Sequence, residues 1–247
     1  VPTILLIRHG ESQANAGLPT ADPRDIELTE RGREEARCVA QEIQRSYSPL
    51  DRIVVSAYQR AQQTAEYTRQ YLKHPTIPIE IWPVQEFTYL SEWGKKSSTV
   101  EERRPTVLRY WEQANPTYTD GPDAESFQQF IERVRQARDR LRTVAGTVAV
   151  FSHHQFICAL LWLSLQDIPP ARAQTMREFK DFLDACPLAN GTIVRVQYER
   201  ESRLWQPEIV TSHLRLKECE QTGAVLSSPS DINPVTRCDG QSTIGVG

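Results

Sequence analysis

Three short runs constrain this chain more than anything else in it. Thr3–Ile7, Arg52–Val55 and Thr147–Phe151 are apolar and carry β-branched residues, without the in–out alternation of a half-exposed strand. Runs of this kind read as strands covered on both faces, which is what a parallel sheet between helices requires. Helical periodicity fills the spaces between them. Ala36, Val39, Ala40 and Ile43 recur at i, i+3, i+4 and i+7, and Ala61, Ala65, Thr68 and Leu72 share a face. Phe127, Phe130, Ile131, Val134, Leu141 and Val144 stripe the clearest helix, Ser126–Val144, which Gly146 stops. A mostly apolar helix, Phe156–Leu165, and a further one, Ala171–Ala185, complete the set. Strands alternating with helices predict an α/β fold, a three-layer sandwich with a largely parallel central sheet and helices on both faces.

The remaining segments are less regular. Ile79–Trp82 reads as a short strand, and Gly191–Tyr198 with Arg203–Val210 as two strands around a tight turn. Within residues 84–124, Thr99 to Glu102 has capping-box spacing, but Pro105 predicts two short helices or one restarted at the proline. From Lys217 the chain has no aromatic residue and is rich in Ser, Thr, Gly and Pro. The expected organisation is one domain over 1–217, with a lid insertion at about 84–124, and a loop-like extension over 218–247.

Composition narrows the function classes. The chain has 247 residues, of which 39% are hydrophobic and 25% charged, as in an ordinary soluble domain. A net charge of −3 provides no global basic field for nucleic acid or an anionic membrane. Five scattered cysteines form no CxxC pair, which argues against a zinc ribbon, a thioredoxin-like site or a disulfide framework. Reduced thiols in the cytoplasm fit best. The apolar start, Ile4–Ile7, is too short for an export signal, and no apolar run is long enough to span a membrane.

In parallel sheets, ligands sit beyond the carboxyl ends of the strands. Arg8-His9-Gly10 follows the first apolar run, Ser56 to Arg60 the second, and Ser152-His153-His154 the third. Two arginines, two or three histidines, Asn15 and carboxylates near Glu86 therefore converge on one rim. Guanidinium forks match phosphate oxygens, and a neutral imidazole is a competent nucleophile. The set suits in-line attack by a histidine on a bound phosphoryl group, with the remaining cations stabilising its equatorial oxygens. Taken singly, each residue has a structural reading: Arg60 lies in an amphipathic helix, and His153 could be a satisfied histidine at a strand end. His74 and His213 are assigned that role. His153 and His154 point apart and have no HxxxH or cysteine partner, so no metal site is expected. Ser152-His153 lacks the GxSxG elbow of a serine hydrolase.

Jointly the motifs are far more specific. Leu6-Ile7-Arg8-His9-Gly10-Glu11-Ser12 with Asn15 resembles the signature of the histidine phosphatase superfamily, in the branch that includes phosphoglycerate mutases. Leu28-Thr29-Glu30-Arg31-Gly32 with Ala36, Ser56 with Arg60-Ala61 and Thr64, Val150-Phe151-Ser152-His153, and Asn190-Gly191-Thr192-Ile193 are similar to the family's later blocks, in its order. The resemblance spans about residues 3–215. It implies that His9 becomes phosphohistidine, and that Arg8, Arg60 and His153, assisted by Asn15 and with His154 beside them, bind the phosphoryl group. It puts Glu86 in the place of the proton donor, with Glu92 as the fallback. A carboxyl beside a phosphate dianion can hold a proton near neutrality and give it to the leaving alkoxide. No metal and no cofactor are implied.

Three departures from the family's pattern stand out. Ala14 stands before Asn15 where mutases usually carry Trp, and Gln85-Glu86-Phe87-Thr88-Tyr89-Leu90 lacks the Arg-His-Tyr-Gly stretch that follows the mutase glutamate. His154 replaces the family's common Gly after the second histidine. The reading that follows is a phosphatase hydrolysing small phosphorylated metabolites. A phosphoglycerate mutase or sugar bisphosphatase is the alternative, and a non-catalytic binding or scaffold protein on the same fold is a second. Trp82, Phe87, Tyr89, Trp93, Tyr110 and Trp111 are expected mostly to pack the lid, with some lining an apolar part of the leaving-group site.

Overall fold

The computed structural model describes residues 2–72, 77–91, 97–165, 170–199 and 204–214. The elements run β1 (Thr3–Arg8), α1 (Glu30–Ser46), β2 (Arg52–Val55), α2 (Gln59–Leu72), β3 (Ile79–Ile81) and α3 (Val100–Gln113). They continue with α4 (Phe127–Leu141), β4 (Thr147–Ser152), α5 (His154–Leu165), α6 (Ala173–Ala185), β5 (Ile193–Glu199) and β6 (Leu204–Val210). The strands form one sheet in the order β3-β2-β4-β1-β5-β6. Pairing is parallel from β3 to β1 and antiparallel from β1 to β6.

The three apolar runs occupy adjacent central positions, and their residues sort by parity. Ile4, Leu6, Val148 and Val150 belong to one buried cluster, and Leu5, Ile7, Ala149 and Phe151 to the other. Successive side chains of a strand point to opposite faces, so a strand covered on both sides must be apolar at every position. The helical stripes cover these faces: Val39, Ile43, Ala61 and Ala65 on one, and Phe127, Phe130, Phe156 and Phe179 on the other.

The expected break at Pro105 does not occur. α3 is one helix, started by a capping box in which Thr99 accepts from the Glu102 amide and Glu102 accepts from the Thr99 amide. Pro105 removes the amide that would bond the Glu101 carbonyl. Both residues are exposed, so water can take that carbonyl, while Tyr110 and Trp111 anchor the far end in the core. The aromatic residues of this region face inward. Trp82, Phe87, Tyr89, Tyr110 and Trp111 are all buried, and Phe87 stacks on Phe130 with ring centroids 4.4 Å apart. Packing is thus their role; Trp93 and Glu92 lie outside the described residues, as do His74, the turn at 200–203 and the chain after 214. Among the described residues, no helix is long and apolar enough to cross a membrane.

Candidate active site

The sheet order puts the three motif-bearing strand ends side by side. Arg8 pairs with Ser152 across β1 and β4, and Val55 with Phe151 across β2 and β4. The ladder runs one step further, with the His9 amide donating to the Ser152 carbonyl at 3.1 Å and the Ser56 amide to the Phe151 carbonyl at 3.0 Å. His9, Ser56 and His153 therefore leave the same edge of the sheet. Arg60 reaches it from the first turn of α2.

His9 is buried, and its ring bonds are specific. Nδ1 lies 2.7 Å from the Gly10 carbonyl, and Nε2 lies 3.0 Å from Nε of Arg60. A carbonyl can only accept and a guanidinium can only donate, so Nδ1 carries the proton and Nε2 the lone pair. Burial, then the neighbouring Arg60 and Arg8, hold the His9 pKa well below the usual histidine range. The ring is thus neutral at physiological pH, with Nε2 unprotonated.

His153 packs edge-on to His9, with centroids 5.1 Å apart, and is fully buried. Its Nε2 meets Ser56 Oγ at 2.8 Å, while Nδ1 is buried without a partner. Burial and Arg60 push its pKa well down too. Tyr58 closes the other side, at 5.3 Å from the His153 ring and 5.1 Å from the Arg60 guanidinium. Arg60 donates to the Pro23 carbonyl at 2.6 Å; burial lowers its pKa to about 10, so it stays charged. Arg8 donates to the Leu188 carbonyl, and its Nε is buried without a partner. The unpaired buried Arg8 Nε donor is costly unless something arrives to accept from it, and His153 Nδ1 likewise lacks a partner.

Glu86 stands with this group. One oxygen accepts from the Gln155 amide at 3.0 Å and the Phe87 amide at 3.2 Å. Gln155 lies in the first turn of α5. Arg8 and Arg60 both feel its charge. Asn15 Oδ1 accepts from Ser12 Oγ at 2.9 Å and from Asn190 Nδ2 at 3.0 Å, leaving its own amide as a donor. His154 Nε2 meets the Cys186 carbonyl at 2.9 Å. His213 is buried; its Nε2 meets the Gly191 carbonyl at 3.0 Å, while its Nδ1 has no partner among the described residues.

Sequence reasoning gave no role to three supporting residues. Thr64 Oγ1 accepts from the Gly10 amide and donates to the Arg60 carbonyl, tying the first motif to α2. Asn190 Nδ2 also donates to the His9 carbonyl at 3.1 Å. Ser56 holds the second histidine. All three lie in quoted motifs, but only the tertiary contacts reveal what each one touches. Beside Glu86 lies an open cavity of about 500 Å³, lined by Arg24, Tyr58, Gln85, Thr88, Asp123 and Gln129 among others. Among the described residues, none of Trp82, Phe87, Tyr89, Tyr110 and Trp111 is in its lining, so these aromatics do not supply the apolar part of the leaving-group site expected of some of them.

A family model for the histidine phosphatase superfamily (branch 1) matches residues 4–205. The adenosylcobalamin/alpha-ribazole phosphatase of Salmonella typhimurium is 25% identical over 209 residues, covering 82% of this chain and 98% of that protein. A 2,3-bisphosphoglycerate-dependent phosphoglycerate mutase of Bartonella bacilliformis is 32% identical over 77 residues, 31% of this chain and 37% of the mutase. Among solved structures, mycobacterial glucosyl-3-phosphoglycerate phosphatase superposes with a TM-score of 0.64 at 20% identity, covering 85% of this chain and 99% of that one.

Proposed function

The chain belongs to the histidine phosphatase superfamily (branch 1) and is a metal-independent phosphoric monoester hydrolase, and we propose that His9 Nε2 is the nucleophile that carries the phosphoryl group. The observation that carries this reading is the pair of bonds on His9: Nδ1 to the Gly10 carbonyl and Nε2 to a guanidinium. The first fixes the tautomer and stabilises the imidazolium charge that appears when Nε2 is phosphorylated. The second shows Nε2 already facing the cation that a phosphoryl oxygen would take over.

Nε2 attacks phosphorus, and the bond to the leaving oxygen breaks. Arg8, Arg60 and His153 donate to the equatorial oxygens, which supplies the partners that Arg8 Nε and His153 Nδ1 lack. Asn15 assists with its free amide, and His154 stands at the rim with its ring held by Cys186. Glu86 gives its proton to the leaving alkoxide. Water then attacks the phosphohistidine, Glu86 takes the proton back, and phosphate leaves His9 neutral again. The open cavity beside Glu86 gives water the access that hydrolysis needs and that a mutase must restrict. Small phosphorylated metabolites are the substrates this site suits, and the cytoplasm is the compartment the scattered cysteines suit. Replacing His9 tests the assignment. His9→Ala, with its far-ultraviolet spectrum and unfolding midpoint preserved, loses turnover of every phosphomonoester tried. Substantial residual turnover removes His9 from the role.

A further inference from the structure

The cavity beside Glu86 is where the leaving group must lie if His9 and Glu86 act as proposed, and the following inference rests on that reading. Two of the four charged side chains in its wall are already engaged. Glu125 is held by both ends of the Arg133 fork at 2.7 Å, and Glu86 accepts from two amides. Arg24 and Asp123 differ. Among the described residues, neither the Arg24 guanidinium nor the Asp123 carboxylate makes a hydrogen bond or ion pair, with each other or with any other group. Both also line a second, smaller cavity of about 130 Å³, so they stand where the two spaces meet.

Both sit on anchored backbone. The Arg24 amide donates to Asp22 and its carbonyl accepts from the Gln59 amide, each at 2.8 Å. The preceding carbonyl, on Pro23, is the one that Arg60 grips, so Arg24 is tied to the phosphate cage. On the other loop, the Glu125 amide donates to the Thr88 carbonyl at 2.7 Å and the Ala124 amide to the Gly121 carbonyl at 3.2 Å. Gly121 itself is pressed against Ser91, with only 2.5 Å between a would-be Cβ and the hydroxyl.

We propose that Arg24 and Asp123 are the specificity-determining pair of this enzyme, selecting a leaving group that carries both a carboxylate and an ammonium, so that its substrates are phosphomonoesters of hydroxy-amino acids. Two unpaired charges of opposite sign, on anchored turns and beyond ion-pairing distance of each other, reward a ligand with the same two charges reversed. A leaving group with only a carboxylate gains Arg24 but meets the Asp123 charge. One with only an ammonium does the reverse, and a neutral polyol gains neither. The remaining wall, with Gln85, Thr88 and Gln129, supplies amides and a hydroxyl for the polar body of such a ligand.

Four small substrates separate these cases: O-phospho-L-serine has both charges, phosphoglycerate the carboxylate, phosphoethanolamine the ammonium, and glycerol phosphate neither. The wild type should favour phosphoserine over each of the others by about fivefold in kcat/KM, a contact with an exposed charge being worth up to roughly that factor. With p-nitrophenyl phosphate as the internal reference, Arg24→Gln should lower the ratios for phosphoserine and phosphoglycerate and not that for phosphoethanolamine. Asp123→Asn should lower those for phosphoserine and phosphoethanolamine and raise that for phosphoglycerate. Glycerol phosphate turned over as well as phosphoserine, or ratios moved equally for all four substrates by each variant, would overturn the proposal. A wild type unable to hydrolyse p-nitrophenyl phosphate would instead overturn the His9 and Glu86 reading, and this inference with it.

Discussion

One carbonyl contact and one helix terminus decide what the reactive residues can do. The Gly10 carbonyl leaves His9 one nitrogen for attack, and the start of α5 holds Glu86 through the Gln155 amide. If Glu86 is the acid, its removal must matter in proportion to the leaving group's need for a proton. Glu86→Gln should slow hydrolysis of an alkyl phosphate by roughly 10²–10⁴. With p-nitrophenyl phosphate, phosphorylation of the enzyme should slow much less, and rapid-mixing bursts should show the phosphoenzyme accumulating because water activation is also impaired. Equal penalties for the two leaving groups in that first step would remove Glu86 from the role. The convergence of the histidines and arginines was legible in the sequence because their motifs follow apolar runs, and Glu86 was placed by its position in the resembled family pattern. The roles of Asn190 and Thr64 were not legible, because an Asn-Gly turn and a helical threonine have ordinary local explanations.

The elements explain why a glycine accompanies each of the first two motifs. A Cβ on Gly10 would lie 2.2 Å from the Gly32 carbonyl oxygen, and one on Gly32 would lie 1.9 Å from the Glu11 carbonyl oxygen. The loop carrying His9 and the start of α1 are thus in backbone contact, sealed by Thr29, which caps α1 through the Gly32 amide and bonds the Glu11 side chain at 2.7 Å. Both contacts are with backbone, which cannot swing aside. Gly32→Ala should therefore cost about 3 kcal/mol of stability in urea unfolding, at the upper end of ordinary overpacking. Gly17→Ala has open space around it but a φ of 78°, and should cost less. Comparable midpoints for the two variants would contradict the close-contact account. Outside α3, helix existence and position were readable from periodicity or apolar composition. The α3 break was misread because a proline's local cost was weighed without knowing that its freed carbonyl faces solvent and that Tyr110 and Trp111 fasten the helix.

At the scale of the whole molecule, folding buries neutral histidines beside fixed cations. His9, His153 and His213 all have pKa values lowered chiefly by burial. In the unfolded chain they take up protons below about pH 6.5, while in the folded protein they do so only at lower pH. The unfolded state thus binds more protons in that window, so stability rises with pH there and is lost as pH falls below about 6.5. Each histidine contributes a slope of up to about 1.4 kcal/mol per pH unit. Urea unfolding between pH 7.5 and 5 should show this loss, and His153→Gln should flatten it; an unchanged slope would mean that His153 is not buried neutral. The sheet that gathers these residues was foreseeable as a class, because apolar strands followed by polar motifs imply one rim. Its strand order was not, since adjacency of β2, β4 and β1 depends on pairing that no local pattern records. The central claim is that His9 attacks through Nε2, and the isomer of the phosphoenzyme tests it most directly. Wild-type enzyme mixed with substrate, quenched within milliseconds and digested in alkali should yield phosphohistidine substituted at Nε2, mapped to residue 9. The Nδ1 isomer, a phosphorylated residue other than His9, or no phosphoenzyme during rapid turnover would contradict the account.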